Sequence, residues 1–148
     1  MHHTLVNDQG QTFLFLLGPG ASGKSICVNI QAALVGHDNV VNTSLKSMNL
    51  DQFETSNYFN KSLITINDSE LFRGSLATLK QLTGGDSIKG RKKLVQGSFD
   101  FYYTGLVVII SNFPLEAQDA SGSVERRLKL LKADHVVPQR QPSERIYY

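Results

Sequence analysis

The sequence predicts an α/β domain of three layers, in which a mostly parallel sheet of about five strands is covered by helices. Two observations predict it. Short apolar runs of strand character alternate along the chain with segments in which apolar residues recur every three or four positions. A glycine-rich stretch also joins the first apolar run directly to a helical pattern. With 148 residues, 41% of them hydrophobic, the chain can build one domain with a real core.

The composition narrows the class of protein. The net charge of +2 gives no whole-molecule attraction for nucleic acid, so such a surface would have to come from local clusters. Cys27 is the single cysteine, which excludes an internal disulfide, and its helical position favours a buried apolar role. No apolar run is long enough for a membrane span, and no signal-peptide pattern opens the chain. We expect a soluble intracellular protein without a membrane partner, in a viral, bacterial or organellar setting.

The first half of the domain contains three predicted strands and two helices. Residues 1–12 form a short N-terminal segment, and the domain proper is expected over 13–135, followed by a flexible tail at 136–148. The apolar runs predict strands at 13–17, 40–45 and 62–68. A helix is expected from Lys24 to a stop at Gly36, and a shorter one over 49–59. The faces expected to be buried are Ile26, Ile30, Ala33 and Leu34 on the first helix, and Leu50 and Phe53 on the second.

The second half continues the alternation. A helix is predicted over 71–83, with Phe72, Leu76, Leu79 and Leu82 inward and a stop at Gly84-Gly85. Two β-like pieces, 88–95 and 99–103, flank Gln96-Gly97-Ser98 and predict a β-hairpin insertion. The most apolar strand of the chain follows at 106–110, and the last strand is expected at 128–131.

The glycine-rich stretch fits the pattern of a phosphate-binding loop. GPGASGKS matches G-x-x-x-x-G-K-[ST] at every fixed position, between a strand and a helix as that loop requires. The glycines allow the backbone to turn successive N–H groups toward a triphosphate. Lys24 would reach the β- and γ-phosphates, and Ser25 would hold Mg²⁺. The alternative is a glycine-rich turn that binds nothing. The predicted loop comprises Gly18, Pro19, Gly20, Ala21, Ser22, Gly23, Lys24 and Ser25.

Acidic and amide side chains end two of the predicted strands. Ligands of parallel sheets bind at the carboxyl ends of strands, so Asp68 would hold Mg²⁺ and Glu70 would orient or deprotonate an attacking water. Both could instead simply begin the next helix, where acids are favoured. Asn112 follows the most apolar strand and could donate to a phosphate or a water, or serve as a turn residue before Phe113-Pro114.

Two basic clusters lie in the second half of the chain. Arg126 and Arg127 carry donor forks suited to charge on a transferred phosphoryl group, although a solvated basic pair is the simpler alternative. At the predicted hairpin, a run of cations beside Tyr102 and Tyr103 could follow a nucleic-acid backbone or could be ordinary solvated surface. The cations of that run are Lys89, Arg91, Lys92 and Lys93.

The order of these motifs resembles the superfamily 3 helicases. It runs from the phosphate loop through D-x-E, LKQLTGGDSIKGRKK and LVVIISNFP to SGSVERRL, and it is most similar to the primase-helicases of phages, plasmids and large DNA viruses. The resemblance covers about residues 11–131. It implies an AAA+-like P-loop NTPase that binds ATP and Mg²⁺ and acts on single-stranded DNA in replication, as a homo-oligomer, typically a hexameric ring.

The resemblance also implies roles for individual residues. Asp68 and Glu70 match the acidic motif, and the segment 80–93 matches the part that grips single-stranded DNA. Asn112 matches a sensor asparagine. Arg126 or Arg127 matches an arginine finger that acts on the nucleotide of the neighbouring subunit.

Other functions stay open at this stage. Members of that family are several times longer, so we expect a fragment, a decayed reading frame or a minimal core that needs a partner. A nucleotide-binding accessory module that binds ATP without unwinding is the main alternative. A small-molecule kinase is a second alternative, and a GTPase is disfavoured because no Asn-Lys-x-Asp element is present.

Overall fold

A computed structural model describes residues 11–68, 71–116 and 122–138, without the side chain of Asp68. The first half contains β1 (Phe13–Leu17), α1 (Lys24–Val35), β2 (Val40–Thr43), α2 (Leu45–Leu50) and β3 (Leu63–Asp68), with 3₁₀ turns at His37–Asn39 and Glu54–Tyr58. The second half contains α3 (Ala77–Gly84), β4 (Ser87–Gly90), β5 (Phe99–Tyr102), β6 (Leu106–Ser111), α4 (Ser123–Arg127) and β7 (Leu128–Lys132).

The main sheet has five strands in the order β2-β3-β6-β1-β7. Every neighbouring pair in it is parallel, as the registers Phe15↔Ile109 between β1 and β6 and Phe13↔Leu128 between β1 and β7 illustrate. All five carboxyl ends therefore lie at one edge. The α/β class and the five-strand parallel sheet predicted from the sequence are confirmed.

Alternation along the strands gives the sheet two apolar faces. Phe13, Phe15, Ile64 and Ile66 point to one face and belong to a core that includes residues of α2, α3, α4 and the hairpin. Leu16, Leu63, Val108 and Ile110 point to the other face and pack with Val28 and Ala32 of α1. The domain is therefore three-layered, because buried side chains lie on both sides of one sheet.

The rotation of α1 differs from the prediction. The sheet is covered by Val28 and Ala32, whereas Ile26, Ile30, Ala33 and Leu34 are exposed. Lys24 faces inward to the carbonyl groups of the preceding loop, and residues four and eight positions later must share its side of the helix. The sequence contains two apolar stripes, and the loop decides which of them meets the sheet.

The helix predicted over 49–59 is also wrong in its position. Helix α2 begins earlier because the Ser44 side chain caps it, accepting from Ser47 N at 3.1 Å. Leu50 is exposed and Phe53 is half-buried, while Tyr58 of the following 3₁₀ turn occupies the core. The cap fixes where the first turn begins and so changes which apolar residues point inward.

The predicted helix at 71–83 and the predicted hairpin are present with shorter regular segments. Helix α3 begins only at Ala77, whose N–H donates to the Ser75 hydroxyl, and it ends before Gly85 in the left-handed conformation. Strands β4 and β5 form a separate antiparallel sheet, joined by residues 91–98 rather than by a three-residue turn. In the part of the chain that is described, none of the helices has the length and apolar character that a membrane span requires.

Candidate phosphate-binding site

The glycine-rich loop lies at the carboxyl edge of the sheet, between β1 and α1. Gly18 N donates to the carbonyl oxygen of Ser111 at the end of β6, which ties the loop to the neighbouring strand at 3.2 Å. A Cβ on Gly18 would collide with the carbonyl group of Ala133, so only glycine fits where these two backbone segments meet. Gly23, at φ 84°, supplies the left-handed turn that leads into α1.

Lys24 is buried inside its own loop. Its ammonium group donates to the carbonyl oxygens of Gly18 and Pro19, both at 2.6 Å, and to the Ser22 hydroxyl at 3.1 Å. Burial lowers the pKa of this ammonium from its ordinary value. The loop therefore holds a cation at its centre, surrounded by oxygen atoms that an anion could replace.

An open cavity of about 520 Å³ lies beside the loop. The loop, the start of α1 and the ends of β3 and β6 form its walls, and Val137 comes from the segment after β7. The lining consists of Gly20, Ala21, Ser22, Gly23, Lys24, Ser25, Ile26, Asn67, Ile110, Ser111, Asn112 and Val137.

The structure brings most of the predicted phosphate-site residues together. Six residues of the loop and Asn112 line the cavity. Gly18 and Pro19 do not line it, but their carbonyl oxygens accept hydrogen bonds from Lys24, which does. The backbone of Asp68 pairs in register with Ser111, so β3 delivers it to the same edge. The Asp68 side chain and the whole of Glu70 lie outside the described structure, and their assignments stay predictions.

Sequence reasoning missed five residues of the cavity, which are Ile26, Asn67, Ile110, Ser111 and Val137. Asn67 and Ser111 are the polar ends of β3 and β6, and Ile26 and Val137 are exposed apolar side chains. The alternation of strand side chains could have identified Asn67, because it shares a face of β3 with Leu63, which packs in the core on the α1 side of the sheet. Nothing in the sequence pattern connects Val137 to the loop.

The arginine pair lies at the other edge of the sheet. It directly precedes β7, whose first residue pairs with Phe13, while the loop begins after Leu17, whose partner is Lys132. Four residues of strand separate these levels, or about 13 Å. Arg127 Nη1 donates to the Lys80 carbonyl oxygen at 3.0 Å, while the Arg126 side chain is exposed. The structure does not bring either arginine to the cavity of its own chain.

The cations of the hairpin also lie away from the cavity. Lys89, Arg91, Lys92 and Lys93 are exposed, and none of them lines the cavity. The Lys93 ammonium stands 5.7 Å from the centroid of the Phe53 ring. The Thr55 hydroxyl donates to the Lys89 carbonyl oxygen at 2.7 Å and fastens the hairpin to the domain. These exposed cations are therefore separate from the residues of the glycine-rich loop that line the cavity.

Two solved structures of the C-terminal region of NrS-1 share this fold. One, an A form apo structure, superposes with a TM-score of 0.67 at 16% identity and covers 95% of this chain and 32% of its own. The other, an apo structure of residues 305–718, has a TM-score of 0.69 at 17% identity and covers 91% and 32%. The present chain therefore spans about a third of the length of those chains.

Two sequence relationships complete the comparison. The uncharacterized mitochondrial protein ymf20 of Marchantia polymorpha is 37% identical over 75 residues, which cover 51% of this chain and 45% of that protein. A family model described as a family of unknown function, DUF5906, matches residues 16–127. Because this match covers well over half of the chain, the chain belongs to the DUF5906 family.

Proposed function

We propose that the chain is an ATP-dependent motor core that binds Mg-ATP at the glycine-rich loop and hydrolyses it within a ring, acting on single-stranded DNA in replication. The observation that carries the proposal is the buried ammonium of Lys24 at the centre of a strand-to-helix loop, beside an open cavity. A basic hairpin at a separate surface supports the nucleic-acid part.

The residues present fit a triphosphate. A Cβ added at Gly20 or Gly23 would meet no atom within 4 Å, so open space lies beside both residues. The first N–H groups of α1 have no acceptor within the helix, and the loop therefore offers hydrogen-bond donors to a ligand in that space. Binding would require Lys24 to exchange the carbonyl oxygens of Gly18 and Pro19 for phosphate oxygens. The Ser25 hydroxyl and Asp68 would hold Mg²⁺, which when bound neutralises charge on the β- and γ-phosphates.

Catalysis would use groups from the strand ends. Glu70 would orient or deprotonate the attacking water, and the amide of Asn112 would donate to the γ-phosphate or to that water. Asn67, which shares the cavity, is well placed to support the same water. Asn67 lies on β3 and Asn112 directly follows β6, and the pairing of these two strands would hold both amides in place for the reaction.

The arginine finger would come from a neighbouring copy. Both arginines lie at the amino edge, about 13 Å along the strand from the loop, and neither lines the cavity of its own chain, which favours a contact from a neighbouring copy. Of the two, Arg127 is already engaged, because it donates to the Lys80 carbonyl oxygen of α3. We therefore assign the finger to Arg126 and a supporting role to Arg127.

Turnover by the chain tests the proposal, measured with and without a single-stranded oligodeoxythymidine. We expect DNA-stimulated hydrolysis that Lys24→Ala abolishes, with Lys129→Ala, an exposed lysine on β7, as the matched control. Circular dichroism of each variant verifies folding. Unchanged turnover in Lys24→Ala would refute the phosphate-site assignment.

An accessory nucleotide-binding module is the second candidate. It is favoured by one observation, that a single copy has no described arginine in its cavity. Size-exclusion chromatography with ATP and Mg²⁺ separates the candidates. Nucleotide binding by a monomer without turnover supports the accessory module, whereas a DNA-stimulated ring supports the motor.

A further inference from the structure

The segment after β7 crosses the glycine-rich loop and is fastened to it at two points. We call residues 133–137 the strap. Ala133 N donates to the Leu17 carbonyl oxygen at 2.8 Å, and Val137 N donates to the Ala21 carbonyl oxygen at 3.0 Å. Gly18 packs against the Ala133 carbonyl group between these two points. Val137 is therefore held at a fixed position beside the loop.

The walls of the cavity differ in chemistry. The polar side chains come from the loop and helix start and from the strand ends, where the proposed function assigns phosphates, metal and water. The large exposed apolar side chains of the lining are Ile26 of α1, at 65% exposure, and Val137 of the strap, at 57%. Neither belongs to the packed core, so a ligand that covered them would remove apolar surface from water.

We propose that Ile26 and Val137 form an apolar contact for the base of a bound nucleoside triphosphate, and that the site accepts purine and pyrimidine bases alike. This inference rests on the proposed function. Discrimination between bases requires hydrogen bonds to their edges, because an apolar wall rejects a different ring only modestly. Of the described strap side chains, only Val137 lines the cavity, and it can neither donate nor accept.

Binding of nucleotides and of inorganic tripolyphosphate with Mg²⁺ tests this proposal by calorimetry. ATP, GTP, CTP and UTP should bind within about threefold of one another, and each about tenfold tighter than tripolyphosphate. Val137→Ala should reduce that advantage about three- to fivefold for all four nucleotides, without changing the affinity for tripolyphosphate.

The chain offers matched controls for each contact. Val136→Ala removes a neighbouring exposed valine that does not line the cavity, and it should leave every affinity unchanged. Ile26→Ala should act like Val137→Ala, whereas Ile30→Ala, one turn further along the exposed face of α1, should not.

Several outcomes would overturn the inference. A preference of more than about tenfold for one base would show edge recognition. Equal losses for ATP and tripolyphosphate in Val137→Ala would show that the strap acts on the loop rather than on the base, and no loss at all would exclude the contact. Tripolyphosphate binding that depends on Lys24, without any base advantage, would refute this inference and leave the phosphate site intact. No binding of either ligand would refute both proposals.

Discussion

The guanidinium group of Arg127 donates from Nη1 to the backbone carbonyl oxygen of Lys80, 3.0 Å away. Lys80 lies in the middle of α3, and the same guanidinium group also lies beside Gly84 at the carboxyl end of that helix, where the helix dipole favours a cation. This hydrogen bond fixes α4 and the start of β7 against α3. The adjacent Arg126 is exposed, so two neighbouring arginines have different structural surroundings.

The difference predicts separable effects of the two arginines. Arg127→Ala should lower the free energy of unfolding by about 1–2 kcal/mol, because a charge-assisted hydrogen bond is lost at a partly buried site. Arg126→Ala should change stability by less than about 0.5 kcal/mol, as exposed substitutions do. Urea denaturation of both variants measures this, and equal stabilities would contradict the structural role of Arg127.

Arg126 should also be the arginine of this pair on which turnover depends. Arg126→Ala should retain nucleotide affinity and lose turnover by about 10³-fold, the scale of an arginine finger. Mixing Arg126→Ala with Lys24→Ala tests whether the arginine acts across copies, because each variant then supplies what the other lacks. Recovery of turnover is expected, and its absence would reject the trans assignment.

Close backbone packing at the loop predicts that Gly18 tolerates no side chain. Gly18→Ala should destabilise the fold by about 2–4 kcal/mol, because the new Cβ would collide with the Ala133 carbonyl group. Gly20→Ala is the matched control, since a Cβ there meets no atom within 4 Å. Thermal unfolding compares the two variants, and equal melting temperatures would show that strap and loop can separate at little cost.

The orientation of α1 predicts opposite results for two apolar truncations on one helix. Val28→Ala should lower the free energy of unfolding by about 1–3 kcal/mol, because Val28 is buried against the sheet. Ile30→Ala should be neutral or slightly stabilising, since Ile30 is 57% exposed and alanine favours a helix. The denaturation midpoints of the two variants and of the unmodified chain measure these changes in stability. The reverse pattern would mean that α1 presents its other stripe to the sheet.

Buried phenols predict a loss of stability at alkaline pH. Burial raises the pKa of Tyr58 and Tyr103 well above the ordinary value of 10.0. Above pH 10 the unfolded chain releases these protons while the folded chain keeps them, so the free energy of unfolding falls as pH rises. Each phenol should contribute a slope of about 1.4 kcal/mol per pH unit in that range.

Substitution of one phenol tests this slope. Tyr103→Phe should be less stable at neutral pH by about 1 kcal/mol, because the hydroxyl no longer donates to the Leu106 carbonyl oxygen. Above pH 10, its free energy of unfolding should nevertheless fall less steeply with pH, by about 1.4 kcal/mol per pH unit, because one titrating phenol is missing. Tyr102→Phe, at an exposed neighbouring position, serves as the control. Identical slopes for Tyr103→Phe and the unmodified chain would refute the assignment.

Local sequence patterns were sufficient for the strands and the glycine loop. The runs at 13–17, 62–68 and 106–110 are apolar on both faces, which identifies buried parallel strands without knowledge of their partners. The glycine spacing and Lys24 likewise predicted, from eight consecutive residues, a loop between β1 and α1, where the structure places it. Helices were harder, because α1 has two apolar stripes and α2 begins at a serine cap inside a weak pattern.

The sequence by itself determined the class of fold, the order of the strand and helix segments and the residues of the loop, since all of these depend on neighbours a few positions apart. Only the tertiary structure decided the burial of Val28 instead of Ile30, the separation of Arg126 from the loop of its own chain and the approach of Val137 to Ala21. Those features depend on strand order and on contacts between residues distant in the sequence. No local periodicity records such contacts, because they form only when the whole sheet is assembled.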